Sequence, residues 1–460
     1  MTQLLSPTQA NKRIDILDIV RGFALIGILL MNIEWFSRPM AELMQLDLAA
    51  TGADYSAGWL VKTFVEGKFI KLFSLLFGMG FALMLLKAKA VGRPFGAWFT
   101  RRMLVLLLFG FAHWVFLWGG DILHGYAFAG LLLLALVMAL GTKLLQRFNH
   151  PVTILRIGLV MICMPFALSI FQETKLGVTR DYMQTSSEWA QEEVISSAVE
   201  MLRNPVEGDE RQLTSLYFAM SVAQQRLDDE KEAQAFVDLD REIFTQGSYW
   251  KATEFRLIEM LSYLTSPTLY TGIAYHAAFT LPLLLVGYWF IASGVLREPK
   301  KHRLLFKQMA FLGTSFGLIL NIVGVNLSVH PAIQNADAIH EMAYTLSSLG
   351  QYALTAGYLG LMVLAIQTDY GRRRLSWLVP MGQMALTNYI MHSLILAVIF
   401  HGYAGQMYGL ISRAPQMLIV VAIILFQAIA STLWLKKFRF GPLEWLWRSL
   451  TYLKVQPMQR

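Results

Sequence analysis

Ten apolar stretches alternate with short polar ones along the chain, at 16–36, 70–86, 103–119, 122–141, 152–171, 269–295, 304–327, 346–366, 377–400 and 417–435. A bilayer core ~30 Å thick needs roughly 20 residues as helix, and only helices or closed barrels satisfy their backbone there. The runs lack strand-like alternation, so each predicts a helix. The fold expected is all-α: a polytopic membrane protein of about ten transmembrane helices. Polar residues inside such runs are costly, so each one marks a candidate site. The first run shows the pattern, with Asp15, Asp18 and Arg21 ahead of an apolar stretch that ends on Asn32 and Glu34.

The loops predict an orientation. Lys12/Arg13, Lys87 to Arg102, Lys143/Arg147, 297–307, 372–374 and 436–439 carry the basic residues, and they fall on every second loop. The positive-inside rule puts these loops and both termini in the cytoplasm. The first run lacks a small-residue cleavage site, so it is expected to stay as an anchor. Composition adds a contrast: 55% of the 460 residues are hydrophobic and 15% charged, with a net charge of +8. Residues 172–267 hold 18 Asp and Glu against 9 Lys and Arg, a net of −9 that leaves +17 on the rest. The basic balance therefore reflects topology and not a nucleic-acid partner. The acidic stretch shows helical periodicity at 188–202 and 213–244, which predicts a small helical extracytoplasmic insertion. Three parts follow: helices 1–5 in 1–171, the insertion in 172–268, and helices 6–10 with an interfacial tail in 269–460.

Several polar residues are candidates for chemistry. Asp18 and Arg21 share a helix face at the cytoplasmic edge, as an entry-fixing ion pair or as an anion site, since guanidinium matches phosphate and carboxylate with two hydrogen bonds. Asn32 lies roughly 21 Å further along, in the outer half. Lys68 sits on the side the basic loops make extracytoplasmic, against their preference, where an anionic ligand would account for it. His113 lies alone in an apolar run, about two turns before Asp121 in the tight reentry Gly119-Gly120-Asp121. A lone His is often a packing residue. Beside an unpaired Asp it also suits proton transfer near neutral pH. Asn388 and His392 are one turn apart, either bridging helices or lining a cavity. No metal-ligand spacing and no serine-hydrolase signature is present, and the lone Cys163, inside an apolar run, reads as a buried, inert thiol. No tightly bound cofactor is expected.

With these residues laid out, the chain resembles the YeiB-like family of bacterial membrane proteins. The resemblance rests on Asp18-Ile19-Val20-Arg21-Gly22 through Asn32, on Lys68-Phe69 with Leu76-Phe77-Gly78, and on His113 with Gly120-Asp121-Ile122-Leu123. It continues through 384–389 and the closing Gly441-Pro442-Leu443-Glu444-Trp445-Leu446-Trp447-Arg448. It covers nearly the whole chain outside the acidic insertion. More distantly, that family is similar to transmembrane acyltransferases such as the lysosomal heparan glucosaminide N-acetyltransferase and bacterial sugar O-acetylases. The resemblance implies transfer of an acyl group from cytoplasmic acyl-CoA, a co-substrate, to an extracytoplasmic glycan or small-molecule acceptor. The lysosomal enzymes carry a catalytic His soon after the matching Asn, whereas residues 37–68 here contain no His. His113 would take its place from another helix.

On that reading His113 is the general base, Asp121 orients it and Asn32 donates to the developing oxyanion. Asp18, Arg21, Lys68, Asn388 and His392 are the substrate-binding candidates. The alternatives are a transporter of a small solute and a non-catalytic envelope protein. The expected partners are membrane lipids, the acyl donor and the acceptor, with self-association into a homo-oligomer left open.

Overall fold

A computed structural model describes residues 15–39, 46, 49–142, 150–167, 234–235, 237–265, 268–329 and 337–460. The expected helices at 188–202 and most of 213–244 lie outside these residues, as do Lys12/Arg13 and Lys143/Arg147. Among the described residues the fold is all-α, with one isolated bridge between Phe438 and Gln459 in place of any strand. Eight helices are long and apolar enough to cross a membrane, and two shorter apolar ones accompany them. Together they fall on the ten apolar runs.

In chain order the helices are α1 (Asp15–Trp35), α2 (Gly52–Phe64), α3 (Lys68–Ala90), α4 (Gly96–Phe116), α5 (Leu123–Leu140) and α6 (Pro151–Ala167). They continue with α7 (Tyr249–Thr265), α8 (Leu269–Ala292), α9 (Arg303–Ser328) and α10 (Asp337–Ile366). The last five are α11 (Asp369–Leu375), α12 (Leu378–Gln383), α13 (Ala385–Phe400), α14 (Arg413–Lys437) and α15 (Pro442–Tyr452). The chain divides into a larger compact unit, residues 1–163 with 244–460, and a smaller one of 164–243. In the smaller unit Gln234 Nε2 donates to Asp238 at 2.9 Å. α7, in the stretch assigned from sequence to the end of the acidic insertion, belongs to the larger unit. It docks on α4 through Arg256 Nε, which donates to the Val115 carbonyl at 3.0 Å, and the Tyr249 hydroxyl, which donates to that of Phe116.

α1 is buried nearly all round: Val20, Ala24, Leu25, Leu29 and Ile33 have no accessible surface. A helix that is apolar on every face is a central one. By contrast α9 and α14 bury one stripe and expose another. On α14 the buried side is Gln416, Val420, Ile423, Gln427 and Ser431, and the exposed side is Leu418, Val421, Leu425 and Ile429. Polar inside and apolar outside is the arrangement for a lipid solvent. Small residues bring the backbones together. A Cβ on Gly317 of α9 would stand 2.6 Å from the Leu354 nitrogen of α10, and one on Gly357 would stand 2.7 Å from that of Thr314. Gly382 of α12 faces the Asp18 carbonyl of α1 with no room for a side chain.

Two features depart from the hydropathy pattern. A helix, α2, occupies part of the loop 37–69, and it turns into α3 through Gly67, whose φ of +75° favours glycine. The run 377–400 is two helices, because Met384 leaves the helical conformation between α12 and α13. Glu444 of α15 closes that gap, accepting from the backbone nitrogens of Leu386 and Thr387 at 2.7 and 3.0 Å. A carboxylate on those unpaired amides is a cap supplied from another helix.

Candidate functional site: a cavity and a buried relay

α1, α3, α4, α5, α13 and α15 enclose a cavity of about 900 Å³. Its α1 wall runs from Leu17 to Ile28, roughly 16 Å at 1.5 Å per residue. One end is basic, with Arg21, Lys87, Arg102, Arg297 and Arg448 beside Asp18 and Glu444. Arg21 Nη1 bonds Asp18 at 2.9 Å and also donates to the Gly382 carbonyl at 3.2 Å. Arg102 stacks its guanidinium 3.5 Å over the Trp447 ring, and its Nε is buried without a hydrogen-bond partner. The middle is apolar, lined by Leu25, Phe73, Leu76, Phe77, Leu83 and Leu106. The far end closes on Ile28, Ile122, Leu123, Tyr126 and Tyr389.

One helical turn beyond that end lies the relay. His113 of α4 and Asp121 of the turn before α5 are both buried, with Nδ1 2.8 Å from Oδ1. The other ring nitrogen, Nε2, is 2.8 Å from the Ser393 hydroxyl of α13. Asp121 Oδ2 accepts from the His124 backbone nitrogen at 2.9 Å and meets His124 Nδ1 at 2.9 Å. Burial pushes the Asp121 carboxyl up, but hydrogen bonds from His113 and His124 outweigh it and hold it down at about 2. It is therefore an acceptor only, which places a proton on His113 Nδ1 and leaves Nε2 to accept from Ser393. Gly110, a turn before His113, makes room for this: a Cβ there would stand 2.7 Å from Asp121 Oδ2. Tyr389 separates relay from cavity. Its ring packs 5.2 Å from that of His113, and its hydroxyl accepts from the Ile122 nitrogen at 3.3 Å.

The helix stripes explain the alignment. Arg21, Leu25 and Ile28 line the cavity, and Asn32 follows one turn later, buried. Met103 and Leu106 lead to His113, and Tyr389 leads to Ser393 four residues on. Of the candidates from sequence, Asp18 and Arg21 line the cavity, while His113 and Asp121 pair behind its closed end. The others go elsewhere. Asn388 donates to Met381 and Ser431, and His392 meets Gln427 at 2.7 Å, so both sit in a polar seam between α13 and α14. Lys68 is fully buried and donates to the Lys62 carbonyl at 2.8 Å. Ser393 is the residue of the relay that the sequence did not single out, and its place beside His113 comes from the packing of α13 on α4.

A second, smaller cavity of about 370 Å³ is polar, with Glu34, Arg38, Asp54, Lys62, Glu66 and Arg413 in its wall. Most of its charges are matched, Glu34 with Arg38 and Arg413 and Lys62 with Glu66 at 3.5 Å, while Asp54 accepts from the Ala414 backbone nitrogen at 2.7 Å. Among the described residues no cluster of three His, Cys, Asp or Glu side chains is arranged to hold a metal ion.

Residues 290–454 match a family model described as "Protein of unknown function (DUF418)". The chain is 30% identical to the uncharacterized protein YxaH of Bacillus subtilis, with 99% of this chain and 98% of the relative aligned. It is 27% identical to the uncharacterized protein YeiB of Escherichia coli, over 96% of this chain and 97% of the relative. No solved structure matches it.

Proposed function

The chain belongs to the YeiB-like family of membrane proteins, and from that premise we propose that it is a transmembrane acyltransferase drawing on cytoplasmic acyl-CoA. The observation that carries this is one continuous sequence of environments. A basic mouth leads into an apolar barrel, and that barrel ends one turn from a His–Asp pair. An acyl thioester of a nucleotide has the matching parts in the same order. Its phosphates would lie among Arg21, Arg102 and Arg448, where Arg102 Nε offers an unused donor. Its pantetheine arm would follow the apolar wall, and its thioester would reach Tyr389. On the positive-inside rule the basic mouth opens to the cytoplasm of a bacterial inner membrane.

His113, held by Asp121, takes the proton of the attacking group, and Asn32, next on the cavity-lining face of α1, donates to the developing oxyanion. The smaller polar cavity suits a neutral, hydroxyl-rich acceptor, since its fixed charges pair with one another except for Asp54, which holds a backbone amide. The test incubates membranes containing the protein with acetyl-CoA labelled in the acyl carbon and a periplasmic extract. Label should move to an extract component with wild type. His113→Ala should lower transfer by roughly 10²–10⁴ while detergent stability stays near wild type. Full transfer by His113→Ala would remove it from the chemistry. No transfer from acetyl-, palmitoyl- or succinyl-CoA with wild type would overturn the enzyme reading and favour solute transport through the same cavity.

A further inference from the structure

We infer that Ser393 is a covalent nucleophile, so that the acyl group rests on the protein between donor and acceptor. The inference rests on the acyltransferase reading for its donor, and on geometry alone for its nucleophile. Asp121 Oδ1, His113 Nδ1, His113 Nε2 and Ser393 Oγ form one unbroken chain with 2.8 Å at each hydrogen bond. Three separate elements supply it: the turn before α5, helix α4 and helix α13. An activated serine needs this order, a base within hydrogen-bonding reach and a third group that fixes the base's tautomer.

A structural serine in a transmembrane helix ordinarily returns its hydroxyl to the carbonyl one turn back, as Ser74 does to Ile70 at 2.9 Å. The Ser393 hydroxyl is instead aimed at the one ring nitrogen that Asp121 leaves free to accept. All three side chains are shielded from solvent: Ser393 has no accessible surface, His113 has 2% and Asp121 has 6%. Water is thereby kept from an ester that would otherwise hydrolyse. Position supports the same role. Tyr389 walls the end of the acyl-sized cavity, and Ser393 lies four residues further along the same face of α13. Tyr389 stands between cavity and serine on a single long hydrogen bond, 3.3 Å from the Ile122 nitrogen, and its ring must move for a thioester to reach Ser393.

The chemistry balances in two halves. In the first, Ser393 Oγ attacks the thioester carbonyl and its proton passes to His113 Nε2. The carbon–sulfur bond breaks, the Oγ–acyl bond forms, and His113 returns the proton to the departing thiolate, releasing free CoA thiol. In the second, an acceptor hydroxyl attacks the serine ester, and its proton goes to His113 and then to Ser393 Oγ. Acyl-CoA and acceptor are the only reactants consumed.

The experiment uses the full chain in lipid nanodiscs. With acyl-labelled acetyl-CoA and no acceptor, wild type should release about one thiol per protein in a burst and retain the label through denaturation. Peptide mapping should place the label on Ser393. An alkyl fluorophosphonate, which reads an activated serine without any acyl donor, should also mark Ser393. That marking should vanish in Ser393→Ala and slow at least ~100-fold in His113→Ala. Transfer at the wild-type rate by Ser393→Ala, with no label kept on wild type, would overturn the covalent step and leave direct transfer standing. Fluorophosphonate marking without thiol release would instead keep the nucleophile and overturn the acyl-CoA donor. Neither marking nor burst from a folded wild type would overturn the nucleophile itself.

Discussion

At the scale of single residues, the relay turns on one carboxylate doing several tasks. Asp121 takes a ring nitrogen of His113, a ring nitrogen of His124 and a backbone amide, so its removal should be felt in chemistry before it is felt in folding. Asp121→Asn keeps the shape but allows the amide to donate to Nδ1, flipping the His113 tautomer so that Nε2 no longer accepts. Transfer should then fall by roughly 10²–10⁴, with a melting temperature in detergent close to wild type. Arg21→Ala should instead raise the KM for acetyl-CoA while kcat holds, since phosphate contacts far from the bond broken are made equally in ground and transition states. His401 offers a pH test away from the site. Burial first, and then the charge of Arg256, press its folded value down to about 3. An unfolded ring takes its proton near pH ~6.5, so the stability it contributes is whole above that pH and lost as pH falls toward 3. The slope is at most about 1.4 kcal/mol per pH unit, and His401→Gln should flatten it in acid denaturation followed by tryptophan fluorescence. His113 and Asp121 were legible in the sequence because one is a costly group alone in an apolar run and the other an unpaired acid in the tight turn that follows it. Ser393 was not, because a serine in such a run usually satisfies itself on its own helix, and only the neighbour across the bundle tells the two cases apart.

At the scale of elements, hydropathy located the ten apolar helices because a lipid solvent leaves the backbone few choices. It was blind wherever a helix is short or broken. α2 carries Lys62, Asp54 and several small residues, so no apolar run announces it, and its place is set by contacts with α9 and α14. The break at Met384 is equally silent, since α12 and α13 together read as one span. What it needs is a cap, and Glu444 lies some sixty residues away in the chain. Close packing was visible only as a scatter of glycines. The α9–α10 seam makes a definite claim about them. Gly317→Leu has no space beside the Leu354 backbone and should cost about 1–3 kcal/mol by overpacking, measured as a lower melting temperature in detergent. Gly80→Ala, inside α3 with nothing within 4 Å of the added methyl, should hold the melting temperature or raise it slightly.

At the scale of the whole molecule, the basic loops predict a side for every residue, and the lone cysteine makes that prediction easy to check. Cys163 is exposed, not buried as its apolar run implied, because much of α6 is left uncovered by other helices, and Cys163→Ser gives a blank background. On it, Met407→Cys and Glu230→Cys should react with an impermeant maleimide on intact cells, whereas Thr2→Cys and Arg373→Cys should react only after permeabilisation. Glu230→Cys reacting only after permeabilisation would reverse the assignment. The tail ties this arrangement shut. Trp447 packs on Arg102 at the cavity mouth and Glu444 caps the helix that carries Tyr389 and Ser393. The last residues then pair back onto the end of α14, where the Arg460 nitrogen donates to the Lys437 carbonyl. A genetic consequence follows. A nonsense codon at Pro442 would spare all ten apolar helices, so the truncated product should still insert and accumulate in the membrane. It would nonetheless behave as a null allele, because α13 would have lost the carboxylate that starts it in register. Supplying residues 440–460 as a separate peptide should restore partial activity in trans if the lost cap, and not misinsertion, is the lesion.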